Sequence, residues 1–284
     1  MMKRSTIGLL SLALLASACL GDDAGSNDQP GTGSCAVDEL TLVTPGTLTV
    51  ATGEPAFPPY VIDDDPTNKQ GFEAAVAYAV ANEMGFTDDQ VAWVRAGFNE
   101  SIAVGPKNFD FNIQQYSITE EREEVVDFSD PYYETSQALV GYSDSAVVGT
   151  TSIDELKGFR LGAQIGTTSL AYIENVIQPD TPALVFDDNT AAKAALDAQQ
   201  VDALVFDLPT AYYITAVEME GSEIIGVLET EDDAGDRFGL LMVNDSPLRD
   251  CVNAALVSLR NAGTLDDLAE EWMQGAGDIP TIAS

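Results

Sequence analysis

The 284-residue sequence has no histidine and few cations: 12 Lys and Arg stand against 47 Asp and Glu, a formal net charge of −35. Without imidazole, the commonest general base near neutral pH and the commonest zinc ligand are missing. Ser-His-Asp and Cys-His enzymes are therefore excluded, although catalysis by carboxylates is not. The shortage of cations argues equally against nucleic acid and anionic lipid surfaces as partners, because both would repel this chain. No apolar run is long enough to span a bilayer, the longest candidate being 7–15. What is present is a 45% hydrophobic composition, ample for a core in one or two domains. The acidity reads as a solubility or salt adaptation. Steering of cationic ligands is the weaker alternative, since the charge is spread along the whole chain.

The N-terminus has the order of a processed export signal. Lys3 and Arg4 precede the short apolar run 7–15, and Leu15-Ala16-Ser17-Ala18-Cys19 follows. Small residues before a cysteine at this distance resemble a bacterial lipobox. Residues 1–18 are then a signal peptide, and Cys19 is the acylated first residue of the mature chain. A plain secretory signal is the alternative. Residues 19–34 are rich in Gly, Asp, Asn and Ser and read as a flexible lipid-anchored tether, reaching roughly 20 Å. Two further cysteines, Cys35 and Cys251, stand near the start and end of the folded part. Disulfides persist in exported chains, so a Cys35–Cys251 bridge is expected, with free thiols as the alternative.

Hydrophobic periodicity beyond the tether alternates strands with helices. Strands are expected at 47–52, 91–94, 109–113, 137–142, 159–164, 183–186, 203–206, 223–227 and 239–243. Helices are expected at 71–84, 100–104, 152–156, 168–177, 190–198, 209–217, 246–261 and 265–273. This order implies an α/β fold with mixed, mostly parallel sheets. The units opening at 48–53 and 159–164 echo each other, which suggests two similar lobes. Ligands of such sheets sit outside the carboxyl ends of the strands.

The segment Ser117-Ile118-Thr119-Glu120-Glu121-Arg122 places one arginine among acids, shortly before Asp127-Phe128-Ser129-Asp130-Pro131-Tyr132-Tyr133. A guanidinium fork matches a carboxylate bidentately. An arginine in such company, taken alone, is more often solvated surface.

The surrounding motifs change that balance. Gly71-Phe72-Glu73, Asp110, 117–122, 127–133, Gly166-Thr167-Thr168, Val201-Asp202-Ala203, Asp207, Asn253, Gly263-Thr264 and Trp272 occur in an order and spacing that resemble the type 2 periplasmic solute-binding proteins of polar amino-acid ABC transporters, the bacterial extracellular solute-binding family 3. The resemblance runs from about 47 to 272. It implies two lobes joined by a two-strand hinge, with 35–134 plus 231–284 as lobe one and 135–230 as lobe two.

It also implies residue roles. Arg122 is expected to hold a ligand α-carboxylate, helped by Thr167 and Thr168 from the other lobe. Asp207 would meet the ammonium group. Ser117 and Tyr116 would add backbone and hydroxyl contacts, Phe57 and Phe98 would sandwich the side chain, and Glu54 stands near an acidic ligand contact of the family. Gln115 would polarise the pocket if it points into the cleft.

The function so implied is the extracytoplasmic binding subunit of an amino-acid importer that captures a free amino acid by hinge closure. The chain would be no enzyme, and would need no cofactor or metal. Its partners would be a polar amino acid with a cationic or neutral side chain and the permease subunits. It would be a monomer, exported and touching the membrane only through Cys19, in the periplasm or on the outer face of the cytoplasmic membrane. A dehydratase-like lyase of small acids on the same fold, or a ligand-sensing module, are the alternatives.

Overall fold

The computed structural model describes residues 34–230, 235–273, 275 and 278–283. The expected signal peptide, Cys19 and all of the tether before Ser34 lie outside the described residues.

The first sheet is built on β1 (Leu48–Thr52), which pairs in parallel with β2 (Val91–Arg95) and β3 (Phe111–Asn112). The strand expected at 47–52 is present as β1, and all five of its residues are buried. A central strand of a sheet covered on both faces has no solvent side, so its polar members must find partners within the protein. At Thr49 the backbone N–H donates to the Asp110 carboxylate at 2.6 Å, tying this strand to the loop before β3. Helix α1 (Phe72–Glu83) packs its apolar residues on this sheet, with Phe72, Val76 and Val80 fully buried. Short helices α2 (Phe98–Ile102) and α3 (Glu120–Glu123) follow, then β4 (Val126–Phe128).

The chain then leaves through β5 (Tyr133–Thr135) into a second sheet. Its strands are β6 (Gln137–Tyr142), β7 (Leu161–Gln164), β8 (Leu184–Phe186), β9 (Ala203–Asp207) and β10 (Ser222–Leu228). Between them lie α4 (Ile153–Leu156), α5 (Thr168–Tyr172), α6 (Asn189–Asp197) and α7 (Leu208–Tyr213). The chain returns through β11 (Asp236–Phe238), which runs antiparallel to β5. It then adds β12 (Leu241–Val243) to the first sheet and continues through α8 (Arg249–Asn261) and α9 (Thr264–Trp272). Both sheets are mixed, and the fold is α/β with two lobes joined by the crossing strands β5 and β11.

The expected disulfide is present: Cys35 and Cys251 are joined, with Cα atoms 5.6 Å apart, across 216 residues of sequence. Cys251 belongs to the core of the first lobe, beside Val252 and Leu256. The bridge therefore ties the start of the folded chain to its late helix.

One boundary needs correction. Residues 281–283 do not stay with lobe one. Strand β13 (Thr281–Ile282) pairs in parallel with β10, at the edge of the second sheet. That edge would otherwise present unpaired backbone groups. Val227 N–H donates to Pro280 O at 2.9 Å and Ile153 N–H to Ala283 O at 2.8 Å. Gly226 makes room for the fully buried Ile282, because a Cβ there would come within 2.6 Å of the Ile282 side chain.

Candidate functional site

Arg122 is placed by a helix start that the local sequence encodes. Thr119 caps α3, its hydroxyl accepting from Arg122 N–H at 3.3 Å, and Glu120 and Glu121 lie in the first turn where the helix dipole favours acids. Arg122 is not the surface residue that its glutamate neighbours suggest, being only 8% exposed. Its guanidinium donates to Ser117 O at 2.6 Å within its own lobe and to Gly166 O at 2.9 Å in the other. It lies 5.5 Å from the Phe98 ring centre, and Phe98 stacks on Tyr116 at 4.6 Å. Burial pulls the Arg122 pKa down, and Asp236 leads the charges that oppose this.

The second lobe brings α5 up to the same place. Thr167 caps it, accepting from Leu170 N–H at 3.1 Å, so the capping role is real. Thr168 Oγ1 is free of that duty. It lies 3.3 Å from Ser117 Oγ and donates to Asp236 at 2.9 Å. Asp207 ends β9 at the position that would cap α7, yet its side chain makes no capping bond. It accepts instead from Gln137 Nε2 at 2.7 Å. The same nitrogen donates to Asp236. Burial first, then Asp236, raise the Asp207 pKa to about 8, while Gln137 and Arg122 work the other way.

These groups surround a cavity of about 340 Å³ between the lobes. Nine of the ten residues expected at a ligand site line it: Arg122, Asp207, Thr168, Thr167, Ser117, Glu54, Phe57, Phe98 and Gln115. Tyr116 does not. It is fully buried behind Phe98, and its hydroxyl donates to Phe98 O at 3.2 Å, so it supports the wall rather than forming it. Gln115 reaches the cavity, but its side-chain amide is turned away and donates to Glu73. Its backbone N–H donates to the same carboxylate at 2.7 Å, holding Gln115 at φ 51. Glu73 is fully buried and also accepts from Tyr132, and burial raises its pKa to about 7. The Glu54 loop is held by Arg95, which donates to Gly53 O at 2.6 Å and to Asp64 at 2.7 Å.

Several lining or neighbouring residues were not singled out from sequence. Glu100, Asp187 and Asp188 add acids to the cavity, and among the described residues Arg122 is the only basic one lining it. Asp236 and Gln137 complete the polar network. Asp236 follows an acidic stretch that carries no periodicity, so nothing local marks it as different from its neighbours. Gln137 opens a strand that was legible, but the face it presents was not. Across the cleft, Asn99 packs directly over Gly166, where any Cβ would collide with its side chain. Among the described residues, no group of three or more Cys, Asp or Glu is arranged to hold a metal ion.

Known proteins resemble this chain in sequence and fold. The sequence model of the bacterial extracellular solute-binding proteins, family 3, matches residues 48–275. The L-cystine-binding protein TcyJ of Escherichia coli (strain K12) is 27% identical over 228 residues, covering 80% of this chain and 82% of that protein. The arginine-binding periplasmic protein of Mannheimia haemolytica is 27% identical, covering 82% of this chain and 94% of that protein. Among solved structures, an ancestral arginine-binding protein bound to arginine superposes with a TM-score of 0.67 at 31% identity, covering 81% of this chain and 99% of that one.

Proposed function

From its membership of the bacterial extracellular solute-binding proteins of family 3, to which the chain belongs, we propose that this protein captures a free amino acid with a cationic side chain for an ABC importer. The observation that carries the reading is the opposition of Arg122 and Asp207 across one cavity between the lobes. A zwitterion needs a cation for its carboxylate and an acid for its ammonium, and the cavity supplies one of each from different lobes.

In this reading Arg122 takes the α-carboxylate with the N–H groups not used on Ser117 and Gly166, and Thr168 assists from α5. Asp207 receives the ammonium. Phe57 and Phe98 flank the side chain. Glu54, Glu100, Asp187 and Asp188 give the rest of the cavity a negative field that suits a cationic side chain. Two of the relatives named above are arginine-binding proteins, which makes L-arginine the first candidate.

Lobe one comprises 35–134 and the segment from 235 through α9. Lobe two comprises 135–230 together with β13. A ligand that touches both lobes has more contacts when they are together, so it shifts the population toward closure. The closed form is what the permease subunits recognise. Residues 1–18 direct export and Cys19 carries the lipid anchor, leaving the monomeric body tethered at the envelope. The protein turns over no substrate.

A thermal-shift panel of the common amino acids tests the reading. A ligand present at 100 times its dissociation constant stabilises by about 2.7 kcal/mol. L-arginine or L-lysine is expected to give the largest shift. Silence with every amino acid, or turnover of a prephenate-like acid, contradicts the proposal.

A further inference from the structure

Charges inside the cleft do not balance around Arg122. Asp207 arrives from the end of β9 and Asp236 from the crossing strand β11, and both accept from one nitrogen of Gln137. The other end of that side chain fixes its orientation: Oε1 accepts from Ser169 Oγ at 2.6 Å, so Nε2 is the atom turned to the acids. Gln137 is itself 3% exposed. Thr168 adds a second donor to Asp236. Two carboxylates sharing a donor nitrogen in a partly buried site repel each other, and one arginine offsets only one of them.

We propose that Asp207 and Asp236 act as a single acid pair that holds one proton in the empty site and releases it when a ligand ammonium enters against Asp207, the member of the pair that lines the cavity. The proposal rests on the reading of the cavity as an amino-acid site. The step is balanced: a carboxylic acid and an incoming ammonium become a carboxylate–ammonium pair, and the proton passes to solvent. Only an O–H bond is broken.

The groups facing the pair come from every element around it. Arg122 of α3 and the donor Gln137 of β6 favour the ionised form of Asp207. Burial and Glu73 of α1 favour the protonated form. Tyr60 packs nearby, bonded to Thr210 at 3.1 Å. Asp207, raised to about 8, is the member that stays protonated near neutrality. Ligand capture should then release up to one proton below that pH and none well above it. Affinity should rise up to about tenfold per pH unit until the pair is ionised in the free protein.

The test uses the full mature chain. L-arginine is titrated calorimetrically in two buffers of different ionisation enthalpy, and the difference counts the protons released. In parallel, the aspartate carboxyl groups of the free protein are titrated by carbon NMR. The expected results are proton release at neutral pH and one aspartate titrating near 8. In Asp236→Asn, whose folding is checked by circular dichroism, that aspartate titrates lower, proton release is lost and the pH dependence of affinity flattens. L-arginine binding with no proton release overturns the acid pair and leaves the amino-acid site standing. Failure of L-arginine and every other common amino acid to bind overturns the site reading, and the free-protein titration then decides the pair alone. Finding every aspartate ionised well below neutrality overturns it.

Discussion

Arg122 of the first lobe donates to the Gly166 carbonyl of the second at 2.9 Å. One side chain thus serves the inter-lobe seam and faces the cavity. The Gly166 backbone has φ 77, a left-handed conformation that suits glycine, and Asn99 lies against its bare Cα. The seam therefore runs over a position where both the left-handed backbone and the Asn99 amide disfavour a side chain.

Gly166→Ala should disturb this seam without unfolding either lobe. A Cβ there collides with Asn99, and the φ value adds strain. The expected outcome is weaker amino-acid binding with a nearly unchanged far-UV circular dichroism spectrum. Asn99→Ala, which clears the space, should restore part of the loss in the double variant.

Arg122→Ala should leave the fold intact, because the residue lies on the cleft and outside the apolar cores. Removing a buried charged hydrogen-bond partner of a ligand costs on the order of 2–5 kcal/mol of binding. Calorimetry should accordingly show a loss of at least an order of magnitude in affinity. Arg122→Lys should not rescue it fully, since a lysine cannot reach Ser117 O, Gly166 O and a carboxylate with one fork.

The stability of the ligand-free protein should fall as pH rises toward mildly alkaline values. Burial raises Glu73 from 4.5 to about 7, and burial with Asp236 raises Asp207 from 3.8 to about 8. For each acid the folded state binds the proton more tightly than the unfolded state. Its stabilising contribution is fully present below the lower value and is lost as pH rises through the higher one. Melting temperature measured against pH at high salt, where surface repulsion is screened, should decline across this window. A rising curve there would contradict both assignments.

Reducing the Cys35–Cys251 bridge should destabilise the chain by about 2–4 kcal/mol, since it closes a very long loop. Chemical denaturation with and without reductant measures this. Because the bridge anchors within lobe one, amino-acid affinity below the unfolding transition should change little.

Gly226→Val should expel the C-terminal strand from the second sheet. Its Cβ would lie 2.6 Å from Ile282 and 2.9 Å from Pro280 O. Overpacking of this kind costs about 1–3 kcal/mol. Hydrogen exchange should show faster loss of protection at Val227 and Glu229, whose N–H groups donate to Pro280 and Ile282.

The long periodic elements were legible because burial of one face leaves a pattern. Helices α1, α6, α8 and α9 and strands β6 and β10 lie within a few residues of their expected positions. The crossing strands β5 and β11 and the terminal β13 have two or three residues each, too few to show a period. Arg122 could be picked out because a capping threonine and ordered motifs surround it. Asp236 could not, since its role comes from Gln137 and Thr168, which are remote in sequence and meet it only in the folded chain. Tyr116 was misplaced by one layer for a related reason: an aromatic beside a site residue can line a wall or back it, and the stack with Phe98 decides which.

The most direct measurement is a crystal structure of the protein with the amino acid that gives the largest thermal shift. The account predicts one ligand in the inter-lobe cavity, its carboxylate on Arg122 and Thr168, its ammonium against Asp207, and its side chain toward Glu100, Asp187 and Asp188. A ligand bound elsewhere, or held in this cavity with its carboxylate away from Arg122, would contradict it.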